Sequence, residues 1–393
     1  MRLLLTIVTL LLSVTGYAGE RFDNDRITVG AARADLYLPL LKGKRVGLLS
    51  NHTGIVGDRH TLDLLLENGV DVRRLFSPEH GFRGTADAGE KVAGGRDSKT
   101  GLPIVSLYGK SKLPADSSLE DLDVIVCDIQ DVGLRFYTYY ITMLDMMNAA
   151  ARLGKEFVVM DRPNPNGMYV DGPILQKELY SGVGRLPIPV VHGLTLGELA
   201  RMIVGEKWLD DGRQLDLTVI PCEGYTHQSR YRLPVNPSPN LKDMKAVYLY
   251  PSTCLFEGTV MSLGRGTDYP FEIFGHPAMH HGDLTFTPRS MPGAKKPPLL
   301  GKRCRGYDLR SLSDDQIIAD GINLDYVIRA YNDPGMKPYR QKFFTNFFDL
   351  LIGNRDVARQ IRRGRSSQQI RATWLPALRH FRHLRAPYLL YPE

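Results

Sequence analysis

Val124-Ile125-Val126-Cys127-Asp128-Ile129-Gln130-Asp131-Val132-Gly133 starts with four apolar residues and ends in carboxylate and amide side chains before a glycine. The apolar part shows no polar alternation, the mark of a parallel strand covered on both faces. Working outward, similar short runs occur at 45–49, 72–76, 104–107, 157–160, 217–220 and 247–250. Helical patterns lie between them. Thr61 opens a stretch with Leu62, Leu65 and Leu66 that Gly69 stops. Residues 139–153 carry Ile141, Leu144, Met147 and Ala151 and stop at Gly154. Thr195-Leu196-Gly197-Glu198 is a capping box leading into Leu199, Met202 and Ile203. Strand and helix in alternation predict an α/β fold, a Rossmann-like parallel sheet with right-handed crossovers.

Beyond about residue 280 the texture changes. Residues 288–301 are rich in Pro, Gly and Lys and read as a connector. Helical segments come next. Ser366-Ser367-Gln368-Gln369 is a second capping box, and Ile370, Trp374, Leu378 and Phe381 share a face that Pro376 interrupts. Arg355, Arg359, Arg362, Arg363 and Arg365 read as a solvated helix surface. The expected organisation is a Rossmann-like catalytic domain over 19–280 and a smaller α+β C-terminal domain over 281–393.

Residues 1–18 have one Arg, a short apolar run and Gly16-Tyr17-Ala18, the pattern of a secretory signal peptide. The protein is expected to be exported, to the periplasm or outside the cell. No stable membrane insertion is expected after cleavage, because no later segment is long and apolar enough to span a bilayer. The formal charge of +7 suits contact with anionic envelope polymers. No basic run is interleaved with aromatics, which argues against nucleic acid. Cys127, Cys222, Cys254 and Cys304 match no zinc spacing, and buried thiols are as plausible as bridges.

In open parallel sheets ligands bind beyond the carboxyl ends of the strands. Those ends carry Asn51; Glu79, His80 and Arg83; Asp128, Gln130 and Asp131 with Arg135 and Tyr137; Arg162 and Asn164; and, after residue 250, Glu257 and Arg265. Amides and hydroxyls read sugar hydroxyls, and Arg grips a carboxylate bidentately. Tyr137, Phe136, Tyr139 and Tyr140 offer flat faces to a sugar ring, although core packing is expected for at least two of them. Glycoside hydrolysis needs two carboxyl groups, one protonated. Glu79 is the first choice for the acid: Pro78 precedes it, Gly81 allows a sharp turn, and Phe82 could supply an apolar wall. Glu257 is the second choice, with pairing to Arg265 as its structural alternative. Asp128 and Asp131 are reserves. His52, His80 and His192 also fall at strand ends, but no His-x-His or His-Glu-x-x-His spacing occurs, so no metal is expected. The first strand lacks Gly-x-Gly-x-x-Gly, which disfavours a dinucleotide, and no cofactor is expected.

These strand-end segments also resemble one family. Ser77-Pro78-Glu79-His80-Gly81, the run from Asp128 to Gly133 with Arg135-Phe136-Tyr137-Thr138-Tyr139, and Asp161-Arg162-Pro163-Asn164-Pro165 carry the resemblance. So do Phe256-Glu257-Gly258-Thr259 and Ser262-Leu263-Gly264-Arg265-Gly266-Thr267. The sequence resembles the NamZ exo-β-N-acetylmuramidases, formerly a domain of unknown function, over nearly all of the chain. The resemblance implies an active-site cleft between a Rossmann-like domain and a smaller one. It implies cofactor-free removal of non-reducing terminal N-acetylmuramic acid from peptidoglycan fragments, with Glu79 at the family's catalytic position. Ser77 departs from the Gly expected in many relatives. The lactyl carboxylate of muramic acid would want an Arg, and Arg83, Arg135, Arg162 and Arg265 are the candidates. Two other readings of the same residues stay open: a non-catalytic binder of muramyl fragments, and a metal-dependent hydrolase of another wall bond.

Overall fold

A computed structural model describes residues 22–78, 81–82, 95–107 and 113–393. The N-terminal half alternates strand and helix. In order come α1 (Ala34–Leu41), β1 (Arg45–Ser50), the small hairpin β2 (Ile55–Val56) and β3 (Arg59–His60), and α2 (Thr61–Glu67). Next are β4 (Asp71–Ser77), β5 (Gly95–Arg96), β6 (Pro103–Ser106), β7 (Val124–Asp128), α3 (Tyr139–Arg152), β8 (Glu156–Met160), α4 (Leu196–Gly205) and β9 (Leu217–Ile220). Seven of these strands form one sheet in the order β5-β6-β4-β1-β7-β8-β9. All neighbours are parallel except β5 and β6. The apolar runs predicted this: all of β7 is buried, and only the first residue of β1 is exposed.

The two faces are covered differently. Tyr37 and Leu41 of α1 and Leu62 and Leu65 of α2 pack on Val46, Leu48, Val124 and Val126. The other face carries α3 and α4, and its core runs on without a break into the C-terminal half through Phe256, Phe274, Phe343 and Phe348. That is why α3 is buried on nearly every side rather than on a single stripe. The box at Thr195 forms as expected, with Thr195 accepting from the Glu198 backbone and Glu198 from that of Thr195.

The C-terminal half starts with α5 (Met244–Thr253). Residues 247–250, expected to be a strand, belong to this helix. Asp243 caps it by accepting the Ala246 amide. All of 246–253 is buried, so no polar face marks a helical period, and an apolar run of four cannot be told from a strand. Beyond it lie β10 (Ile273–His276), β11 (Leu284–Phe286) and β12 (Cys304–Asp308), an antiparallel sheet in the order β10-β12-β11. The Pro- and Gly-rich stretch 288–301 is the loop between β11 and β12, and the boundary drawn at residue 280 falls inside this sheet. Helices α6 (Asp314–Asp320), α7 (Asp325–Asn332), α8 (Asn346–Ile352), α9 (Asp356–Arg362), α10 (Ser367–Ala372) and α11 (Leu375–Arg385) complete the half. Ser366 caps α10 as expected, and Pro376 sits in the first turn of α11, where a missing N–H costs nothing. Ile370, Trp374, Leu378 and Phe381 are all buried, and the arginines at 355, 359, 362, 363 and 365 are exposed. The four cysteines are buried free thiols.

The chain's end ties the halves together. The Tyr391 hydroxyl donates to Asp161 at 2.6 Å and accepts the Cys222 amide at 2.9 Å. Asp161 also accepts from Thr195 and from the amides of Arg162 and Gly197. Burial still pushes its carboxyl up to about 6. Among the described residues no helix is long and apolar enough to cross a membrane.

Candidate active site

The strand order reverses between β1 and β7, and doubly wound sheets bind their ligands at that crevice. Here protein fills it. Asp128 closes β7 fully buried, and Arg162 donates Nε and Nη2 to its two oxygens at 2.5 and 2.9 Å. Thr61 adds a third bond at 2.5 Å, and Arg162 Nη1 reaches the Ile55 carbonyl. Ser50 Oγ donates to the Asp128 carbonyl. Gly54 is required beside them, since a Cβ there would stand 2.3 Å from Ser50 Oγ.

The neighbouring candidates belong to the same buried network. Asn51 Oδ1 accepts from the Thr53 amide and hydroxyl. Gln130 Nε2 donates to the carbonyls of Asp131 and Pro163. Asn164 accepts from the Asn166 amide and donates to the Leu194 carbonyl. Asp131 Oδ1 accepts the Gly133 amide at 2.6 Å, while its Oδ2 is buried without a partner among the described residues. Desolvation outweighs that bond and pushes the Asp131 carboxyl up to about 7. Asn51, Asp128, Gln130, Asp131, Arg162 and Asn164 are thus buried; Asp128 and Arg162 bond each other, while Asn51 Nδ2, Gln130 Oε1 and Asp131 Oδ2 have no partner among the described residues.

Arg135 lies deeper than the strand end implies. Its guanidinium is fully buried and donates to the carbonyls of Pro173, Ile188 and Leu351. It fastens the two halves together and does not line the cleft. Burial pushes it down to about 10. Sequence places it beside a strand end but says nothing of the loops that close over it.

The open space lies to one side, between the halves. A cavity of about 620 Å³ is lined from the N-terminal half by Leu107, by the segment from Phe136 to Tyr139, by Thr142 and Asp145 of α3, and by the loop Ser181–Arg185. The C-terminal half contributes Tyr250, Cys254, Glu257, Arg265, Phe271, Phe347 and Leu351. Five rings meet edge to face: Tyr250 on Phe271 at 4.7 Å, Phe136 on Tyr250 at 5.3 Å, and Tyr137 on Tyr139 at 4.8 Å. Tyr137 and Tyr139 anchor their hydroxyls on the Pro237 carbonyl. Tyr140 is core, accepting the Arg185 amide. Phe271 holds φ at 70°, a strained value for a bulky residue and one that such residues keep mainly at functional sites.

Two acid–arginine pairs face this cavity. Arg265 donates Nε and Nη2 to the same oxygen of Glu257, Oε1, at 3.0 and 2.6 Å. Burial opposes the Arg265 charge, but the Glu257 carboxylate more than offsets it and holds its pKa above the usual value. The expected pairing of Glu257 with Arg265 forms, and the pair lines the cleft. The second pair, Asp145 with Arg185 at 2.5 Å, was missed. A signal existed: Thr142, Asp145 and Asn148 make a polar row every third residue in an otherwise apolar helix.

Glu79, His80 and Arg83 lie outside the described residues. The Leu107 amide donates to the Ser77 carbonyl at 2.9 Å, so β4 ends beside a residue of the cavity wall. Phe82 packs in the core with its ring 4.9 Å from that of His60. His52 contacts the Asn236 carbonyl, and His192 is buried, pushed down to about 3 by desolvation. Among the described residues no three His, Cys, Asp or Glu side chains converge as metal ligands.

A doubly wound sheet whose switch point is filled by side chains, joined to a smaller half across a cleft with an aromatic floor, defines an α/β protein with a cavity of about 620 Å³ between its halves. Comparison narrows the class. The exo-β-N-acetylmuramidase NamZ family models match, the N-terminal one at residues 46–245 and the C-terminal one at 248–391. The chain belongs to this family. It is 40% identical over 374 residues to the peptidoglycan β-N-acetylmuramidase NamZ of Bacillus subtilis, covering 90% of this chain and 89% of that protein. Crystal structures of two DUF1343 family proteins from Bacteroides fragilis share the fold. One is 53% identical with a TM-score of 0.87, the other 29% identical with a TM-score of 0.80. Each covers 93% of this chain and 99% of its own.

Proposed function

We propose that the protein is an exo-acting β-N-acetylmuramidase, a glycoside hydrolase that releases terminal N-acetylmuramic acid from peptidoglycan-derived muramyl glycans. The observation that carries this reading is the family match along both halves, whose junction forms the cleft. Glu79, two residues past Ser77 in the chain, is the general acid. Glu257 is the second carboxylate. Arg265 engages only one of its oxygens, which leaves the other for a water or the sugar. Arg265 also stands 5.0 Å from the Phe271 ring, close enough to pair with the lactyl carboxylate of a sugar resting on the aromatic floor. Residues 1–18 act as an export signal that brings the enzyme to its polymer, a reading supported by their composition alone.

The test is release from a chromogenic β-N-acetylmuramide, with the matching β-N-acetylglucosaminide as control and chelator added in parallel. Release from the muramide alone, insensitive to chelator, is expected. Glu79→Gln should lower turnover about 10²- to 10⁴-fold with thermal stability kept. Binding of muramyl sugars without release would make the protein a binder, and chelator-sensitive release would make it a metal-dependent hydrolase.

A further inference from the structure

The cleft is longer than one sugar. Its N-terminal wall runs along α3 from Tyr139 through Thr142 to Asp145, about 9 Å along the helix axis at the usual rise per residue, more than a single pyranose ring requires. Its charged groups come in two sets from different halves. Glu257 and Arg265 belong to the C-terminal half and stand over the aromatic floor, their side chains 24% and 19% exposed. Asp145 and Arg185 belong to the N-terminal half. Asp145 is almost fully buried, while the Arg185 side chain is 41% exposed.

The construction of Arg185 matters. One guanidinium nitrogen, Nη1, is fixed on Asp145 at 2.5 Å, and the Arg185 amide donates to the Tyr140 hydroxyl at 3.0 Å. The short turn before it, closed by the Ser181–Gly184 bridge, brings Ser181, Gly182 and Val183 to the same wall. An arginine anchored at one end on a buried acid is pre-oriented, so little side-chain freedom is lost when its remaining N–H groups bind a ligand. A terminal sugar on the aromatic floor would leave this more open set available to the next sugar of the glycan.

We propose that the Asp145–Arg185 pair and the Ser181–Arg185 turn form a leaving-group subsite, in which Arg185 donates hydrogen bonds to the hydroxyl or acetamido oxygens of the amino sugar beyond the scissile bond. The inference rests on the hydrolase reading of the cleft. It makes Arg185 a specificity residue for glycan over simple glycoside.

Arg185→Gln and Arg185→Lys are assayed on two substrates. One is the chromogenic muramide, which has no leaving sugar. The other is the disaccharide of N-acetylmuramic acid β-linked to N-acetylglucosamine. The ratio of kcat/KM for the disaccharide to that for the muramide should fall at least about tenfold, mainly through KM, with the lysine variant intermediate. Lysine keeps the charge beside Asp145, so it also reads the subsite should the glutamine variant fold poorly. Equal loss on both substrates overturns the proposal and assigns the pair to the terminal sugar or to the fold. An unchanged ratio with unchanged rates overturns it too. If the wild type releases nothing from either substrate, the hydrolase reading itself fails and the subsite falls with it.

Discussion

Asp128 with Arg162 and Glu257 with Arg265 have the same chemistry, a carboxylate held by two guanidinium nitrogens, yet they occupy opposite kinds of place. The first pair seals the crevice where a doubly wound sheet would otherwise take a ligand, with side chains 0% and 2% exposed. A third donor from Thr61 and a carbonyl acceptor at Ile55 complete it. The second stands at the junction of the halves, partly open, with both nitrogens on one oxygen. A motif of acid plus arginine at a strand end therefore does not announce a binding site. What matters is whether hydrogen-bonding capacity is left over and whether solvent reaches it. Arg135, buried on three carbonyls, falls with the first pair, and Arg185, partly exposed on the cleft, with the second.

The contrast can be broken most severely by neutralising one acid of each pair. Asp128→Asn leaves the Arg162 charge buried with weakened partners and should lower unfolding free energy by about 3–5 kcal/mol, read by urea titration. Glu257→Gln should do the reverse. Its kcat/KM on the muramide should fall about 10²-fold or more, while stability changes by about 1 kcal/mol, because the pair is partly screened by solvent. Similar stability losses in the two variants would show that Glu257 is as structural as Asp128.

A gentler probe uses pH. The folded-state carboxyl of Asp131 is raised from its ordinary value of 3.8 to about 7. A raised value means that the folded protein prefers the protonated form. Its contribution is complete below about pH 4 and is lost as pH climbs to 7 and beyond. Asp131→Asn keeps the shape and removes the charge. It should stabilise the protein at pH 8 relative to wild type by about 1–4 kcal/mol and show little difference at pH 4. A variant that tracks wild type across this range would mean that water or an ion already satisfies the carboxylate.

The smallest effect concerns the seam between the halves. Tyr391→Phe removes a donor to Asp161 and an acceptor for the Cys222 amide, and should cost about 1–2 kcal/mol in thermal or urea unfolding. No loss would show that the tail's apolar contacts with Tyr225 and Cys222 suffice to hold it.

Much of the sheet was legible in the chain. Strands buried on both faces need uninterrupted apolar residues, and such runs mark β1, β4, β6, β7, β8 and β9 within one or two residues. Capping boxes at Thr195 and Ser366, and the restart at Pro376, are local hydrogen-bond and steric rules that sequence displays directly. The family motifs were equally visible, because they are contiguous words in the chain. Helix α5 was not, since burial on all sides erases the period that separates helix from strand. Which polar residues are buried was not legible either. Asn51, Asp128, Gln130, Asp131, Arg162 and Asn164 share the strand-end address of functional residues, but their partners, such as Thr61 and the carbonyls of Ile55, Pro163 and Leu194, come from segments remote in the chain. Local pattern reports what a side chain could bond. Whether those bonds are already made, as they are around Asp128 and not around Arg185, depends on surfaces brought together only when the two halves close.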